Sequence, residues 1–279
     1  MLFTLPLWVC AGQGDLAEAR QLYGHTDYRG ALKILLARDA DSGPVQFWIG
    51  RSYFMLGEYK KAQEAFEKAV AASPRNSEYY NWLGKAYGRR AETSSFITAP
   101  SYAGKARDNL EKAVILDPHN SEAVSDLFEY YLDAPGFLGG GIDKATALSA
   151  KISELDPAEG QYAMAVIAEH RKEFNSAEAH FRRAMELAPR QVGRVLDLAK
   201  FLAKQGRTQE SDQVFAQAEK VAPDDPRILF ERASTYIQVK RNTDQARELL
   251  RQYLKSPLTP DYPSREEAEK LLKTASSGL

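Results

Sequence analysis

The run Trp48-Ile49-Gly50-Arg51-Ser52-Tyr53 returns 34 residues later as Trp82-Leu83-Gly84-Lys85-Ala86-Tyr87. A chain that repeats itself at a fixed period of this length builds its core from neighbouring copies, because one copy alone cannot bury its apolar face. Small residues at Gly50, Ala62 and Ala69 allow two helices to approach closely, and Tyr53, Tyr59 and Phe66 fill the space beside them. The period therefore constrains this chain to an array, whatever its individual side chains do.

The first copy continues as GEYKKAQEAFEKAVAASP, with Gly57, Tyr59, Ala62, Phe66, Ala69 and Pro74 at fixed offsets. In period and in these residues it resembles the tetratricopeptide repeat (TPR) family. The second half of the unit recurs as YRGALKILLARD, ARDNLEKAVILDP, ATALSAKISELDP, AEAHFRRAMELAP, SDQVFAQAEKVAP and ARELLRQYLKSP. About seven units fit over residues 12–257, ending near residues 43, 74, 118, 157, 189, 223 and 257, and two of them carry insertions. The prolines at these ends are read as helix terminators, and Asn76, Asn120 and Ser121 as starts of the next helix. Residues 258–279, with SREEAEKLLKTAS, read as a C-terminal capping helix and tail. The resemblance implies an all-α fold of antiparallel helix-pair repeats stacked as a right-handed α-solenoid.

Charge narrows the function. Lys plus Arg number 37 against 38 Asp plus Glu, a formal charge of −1, so no basic field is present to attract nucleic acid. Cys10 is the one cysteine, which leaves no disulfide framework and no thiolate-rich metal site. Residues 1–11, MLFTLPLWVCA, are apolar but too short to span a bilayer. They read as an export signal, as an apolar segment that caps the first repeat, or as a lipid-attachment site at Cys10. An export signal would make the protein periplasmic or secreted, and otherwise it would be cytoplasmic.

The scarce catalytic resource is histidine. His25, His119, His170 and His180 form no metal-ligand pair at helical spacing, and HExxH is absent. No catalytic, cofactor-binding or metal-binding residue is therefore expected, and the chain is read as a non-enzyme.

Two segments interrupt the period, RRAETSSFITAPSYAGKAR in the third unit and LDAPGFLGGGIDKA in the fourth. Phe96 and Ile97 are expected to pack on Phe137 and Leu138, forming a ridge from Arg89 to Asp143 that is either a second partner contact or a structural brace. Gly139-Gly140-Gly141 reads either as tight-turn geometry or as a set of exposed amides able to hold an anion.

In the family, the first helix of each unit lines a concave groove where peptides or partner helices dock. Carried onto this register, the resemblance places Phe47, Arg51 and Phe54 in the groove of the second unit and Asn81, Lys85 and Arg89 in that of the third. Farther on it places Tyr162, Glu169 and Lys200 there. Aromatics beside cations suit a peptide with apolar and acidic groups. The expected function is a protein-interaction scaffold or adaptor, in the bacterial cell envelope if exported. The alternative is a repeat subunit that self-assembles or oligomerises without a peptide ligand.

Overall fold

The computed structural model describes residues 8–38 and 42–276, and among them all regular structure is helical. Residues 1–7 of the apolar opening lie outside the described residues, while residues 8–11 begin the first helix. The chain divides into two compact units, Met1–Leu148 and Ser149–Leu279.

The first unit contains α1 (Trp8–Gly24), α2 (Tyr28–Leu35), α3 (Gly43–Met55), α4 (Tyr59–Ala72), α5 (Ser77–Thr93), α6 (Ala99–Leu116) and α7 (Ser121–Asp133). A single 3-10 turn, Gly136–Leu138, follows, and then the opening of α8 (Ile142–Leu155). The second unit holds the end of α8 and then α9 (Pro157–His170), α10 (Phe174–Leu187), α11 (Val192–Lys204), α12 (Thr208–Val221), α13 (Pro226–Gln238), α14 (Thr243–Lys255) and α15 (Arg265–Ser276).

Helix starts follow from side chains that accept the free amides of a first turn. Asn76 accepts from the Tyr79 amide and Asn120 from that of Ala123, both at 3.1 Å. Asp156 caps α9 through the amides of Ala158 and Glu159. Pro157 is the first residue of α9 and so opens a helix rather than closing one. The reason is that a first-turn amide has no partner inside the helix, so proline loses nothing there.

Five of the helix-to-helix turns share one geometry. Thr26, Gly57, Lys172, Gly206 and Lys240 have φ of 61°, 73°, 62°, 75° and 53°. In each, the next amide donates to a carbonyl five residues back, as Glu58 does to Tyr53 at 2.9 Å and Arg207 to Leu202 at 3.0 Å. This left-handed closure satisfies carbonyls at the helix end. The α5–α6 and α7–α8 connections, where the insertions fall, close differently.

Packing within the first unit centres on a ladder of aromatic rings. Phe47 stacks on Tyr79 at 4.7 Å between centroids and meets Phe66 at 5.9 Å, and Phe66 lies 5.9 Å from Trp82. Ala62, Phe66 and Ala69 are fully buried. In the second unit Phe181 meets Phe201 and Phe230 meets Tyr253, each pair at 5.2 Å. Such pairs contribute roughly 0.5–1.5 kcal/mol beyond their burial. Beyond Pro257, α15 buries Ala268 and Ala275 against the core that holds Tyr253 and Leu250.

The first insertion forms little loop. It extends α5 to 17 residues and α6 to 18, leaving a short link from Ser94 to Thr98. The expected packing of the inserts is corrected, because Phe96, Ile97 and Phe137 are 87%, 74% and 82% exposed. The second insert is held instead by polar contacts to helix backbones and side chains. The Tyr130 hydroxyl reaches the carbonyl oxygens of Leu138 at 2.8 Å and Ala103 at 3.0 Å, and Arg107 donates to Leu138.

Candidate partner-binding site

The residues singled out on the first helices divide into three groups. Phe47 is 4% exposed and belongs to the aromatic core, so its expected place on an open groove is corrected: ring burial against Phe66 and Tyr79 outcompetes exposure. Asn81 is fully buried, and its amide donates to Asp126 at 2.7 Å. Its role is to hold a carboxylate of the neighbouring helix in place. The same correction applies to it, since a fully buried amide cannot meet a partner.

Arg51 is stacked among aromatic faces, with its guanidinium carbon 4.8 Å from the ring centre of Tyr23, 4.7 Å from Trp48 and 4.6 Å from Trp82. Cation–π attraction and the long alkyl stem both favour that position. Lys85 donates to Glu122 at 2.9 Å, lies 3.4 Å from Asp126 and sits 4.6 Å above Trp82. Burial alone would pull the Lys85 ammonium down, but Asp126 and Glu122 together push it above its ordinary value. Burial pushes the Asp126 carboxyl up, and the pull of Lys85 and Asn81 does not fully offset it. Glu78 is likewise raised, by burial first, with Arg51 drawing it down.

In the second unit the same logic recurs. Tyr162 packs under Arg194, whose guanidinium lies 4.4 Å from its ring centre. Arg194 faces Glu159 at 3.3 Å, Lys200 lies between Asp197 and Glu231 at 3.3 and 3.4 Å, and Lys204 donates to Glu169 at 3.1 Å. The cations on these helices are thus matched by acids of the same unit. They do not form an electropositive groove for an acidic peptide.

Phe54, Lys85 and Arg89 converge on one cavity of about 420 Å³ in the first unit. Its floor is made by Gly84, Gly88, Ala103, Ala106 and Leu110. Phe54 forms one side, itself fixed edge-on against Tyr59 and Trp82 at 5.4 Å each. Ala134, Pro135 and Leu138, from the second insertion, form another. The rim carries Lys85, Arg89, Glu92, Asp126, Glu129 and Asp133. Arg89 is anchored by Glu92 at 2.5 Å and by the Tyr59 hydroxyl. Gly88 was not expected on the site, whereas Tyr130 and the insertion wall fall within the ridge from Arg89 to Asp143 read as a second candidate contact. The signal for Gly88 was present in the register, because it stands 34 residues after Phe54.

The glycine run resolves to turn geometry. The amides of Gly139, Gly140 and Gly141 donate to the carbonyls of Gly136, Pro135 and Tyr131 at 2.9, 3.3 and 2.7 Å, so none is left for an anion. Among the described residues no group of three or more His, Cys, Asp or Glu is placed to hold a metal ion, and no helix is long and apolar enough to cross a membrane.

Residues 50–90 match the family model described as TPR repeat, and residues 170–229 match that described as Tetratricopeptide repeat. The chain is a tetratricopeptide repeat protein. Over 113 residues this tetratricopeptide repeat protein is 32% identical to Cellulose synthase operon protein C of Escherichia coli K12, and the match covers 40% of the chain. The chain spans 8% of the length of that relative. Among solved structures, it resembles a thermophilic TPR protein of Thermus thermophilus, at 24% identity over 68% of this chain and 98% of that one, with a TM-score of 0.57. It also resembles a tetratricopeptide repeat protein of Parabacteroides merdae at 14% identity over 95% and 98% of the two chains, with a TM-score of 0.62. These structural likenesses show the fold, and the repeat protein's binding chemistry has to be read from its own residues.

Proposed function

We propose that this chain works as a protein-interaction module, taking a partner segment on the first-helix face of α3, α5 and α7. The observation that carries this reading is the cavity among Phe54, Gly88 and Leu138, whose apolar floor lies open between charged edges. An apolar pocket with a polar rim is the arrangement in which a few anchoring side chains supply most of the binding free energy. The test is capture of partners from bacterial envelope extract by the purified chain, beside a Gly88→Phe variant that fills the cavity. An unchanged set of captured proteins would sink the assignment of this face.

The proposed setting is the bacterial cell envelope. The apolar run Leu2–Cys10 supports it. Amino-terminal sequencing of the natively expressed protein tests this, and an intact Met1 on all molecules would count against cleavage and export.

A second reading, self-association, draws on the exposed apolar side chains of Phe96, Ile97 and Phe137. Light scattering over a range of concentrations separates the two, since a strict monomer removes the second.

A further inference from the structure

The first-helix position that Phe54 holds in one repeat is held by Gly88 in the next. Phe54 occupies its space with a ring, whereas a side chain added at Gly88 would meet nothing within 4 Å. Neighbour packing therefore does not require glycine there, although glycine inside a helix is less stable than alanine. The contrast with Gly84 is sharp, since a Cβ there would lie 2.8 Å from Leu110. Gly84 is glycine because its neighbour is close, and Gly88 leaves an open floor.

The rim gives the sign of what would enter. Two cations, Lys85 and Arg89, face four carboxylates, those of Glu92, Asp126, Glu129 and Asp133. Whatever bonds these groups make among themselves, the rim sums to two negative charges.

We propose that the cavity over Gly88 receives one large apolar side chain of a partner peptide whose flanking residues are lysine or arginine. Deepening the interaction-module reading and resting on it, this proposal names the partner's chemistry. The ring or branched chain of the partner lies on Gly84, Gly88 and Leu110, and its flanking cations face Glu129 and Asp133. Like charges on an acidic partner would be repelled at the same edge.

The experiment uses the full chain and fluorescein-labelled peptides with a central Trp, Phe or Leu, flanked on both sides by two lysines, two serines or two glutamates. Fluorescence polarisation should rank lysine-flanked peptides tightest, by about tenfold over the glutamate-flanked ones, with the preference fading in about 0.5 M salt. Gly88→Phe should abolish binding. The double variant Glu129→Lys with Asp133→Lys, both at exposed positions, should reverse the order and covers the case in which Gly88→Phe fails to fold. Glutamate-flanked peptides binding as well as lysine-flanked ones would overturn the inference, as would binding indifferent to Gly88→Phe in a folded variant. Capture of a partner that depends on Gly88, with no preference for cationic peptides, overturns this inference while the interaction-module reading stands. Loss of both removes both.

Discussion

A Cβ on Gly84 would stand 2.8 Å from Cγ of Leu110 and 3.2 Å from the carbonyl oxygen of Ala106, so α5 and α6 approach only because that side chain is missing. Gly50 bears the same relation to Phe66, at 2.5 Å from the ring. Both neighbours are buried and cannot swing away. Gly84→Ala and Gly50→Ala should each lower stability by about 1–3 kcal/mol through overpacking, read from urea midpoints by circular dichroism. Gly88→Ala, with open space above it, should instead raise stability by up to about 1 kcal/mol.

The α7–α8 connection should depend on Gly140 more than on its glycine neighbours. A Cβ at Gly140 would fall 1.8 Å from the Ala134 carbonyl oxygen, which is backbone and has no rotamer to adopt. Gly140→Ala should displace the insertion wall, release the Tyr130 hydroxyl from Leu138 and weaken any ligand of the cavity. Gly136→Ala, with nothing within 4 Å, is the matched control. Hydrogen exchange of the Gly141 amide, which donates to Tyr131 at 2.7 Å, reports the difference, and equal protection in both variants would refute the account.

Three of the five left-handed turns carry residues that resist that conformation. Thr26, Lys172 and Lys240 hold positive φ where Gly57 and Gly206 do so freely. Lys172→Gly and Lys240→Gly should each raise stability by about 0.5–1 kcal/mol, because relief of the steric conflict exceeds the added freedom of the unfolded chain. Thr26→Gly should gain more, since a β-branched residue fits this region worst. Thermal melts of the three variants rank them, and destabilisation in all three would contradict the turn geometry.

The ionic ladder makes stability depend on pH at both ends. Lys85 and Lys200 are raised above their ordinary value because burial is outweighed by Asp126 and Glu122 for the first and by Asp197 and Glu231 for the second. For a raised lysine, the stabilisation is fully present below the unfolded pKa of about 10.4 and is lost as pH climbs through the folded value. Melting temperature should therefore fall above about pH 10, and less steeply in Lys85→Met with Lys200→Met. Glu78 works in the opposite sense, because its raised carboxyl opposes folding when ionised. The natural chain should gain stability relative to Glu78→Gln as pH falls from neutrality towards the unfolded glutamate value of about 4.3.

The matched cations explain why the site was only partly legible. Arg51, Lys85 and Lys200 stand on the expected helices, yet their charges are met by Glu122, Asp126, Asp197 and Glu231 or laid on aromatic rings. Helical register gives the face of a residue. It does not give the reach of an acid on the next helix, which depends on how closely the helices approach.

The 34-residue period, the small residues at Gly50, Gly84, Ala62 and Ala69, and the caps Asn76 and Asn120 could be read directly, because helix pairing and helix ends are local and recur at fixed spacing. The sequence by itself determined an all-helical repeat built on those contacts. Only the tertiary structure decided that Phe47 and Asn81 turn inward, that Phe96 and Phe137 remain exposed, and that an insertion walls off the space left by Gly88. Those outcomes depend on distances between residues far apart in the chain, which no local pattern encodes.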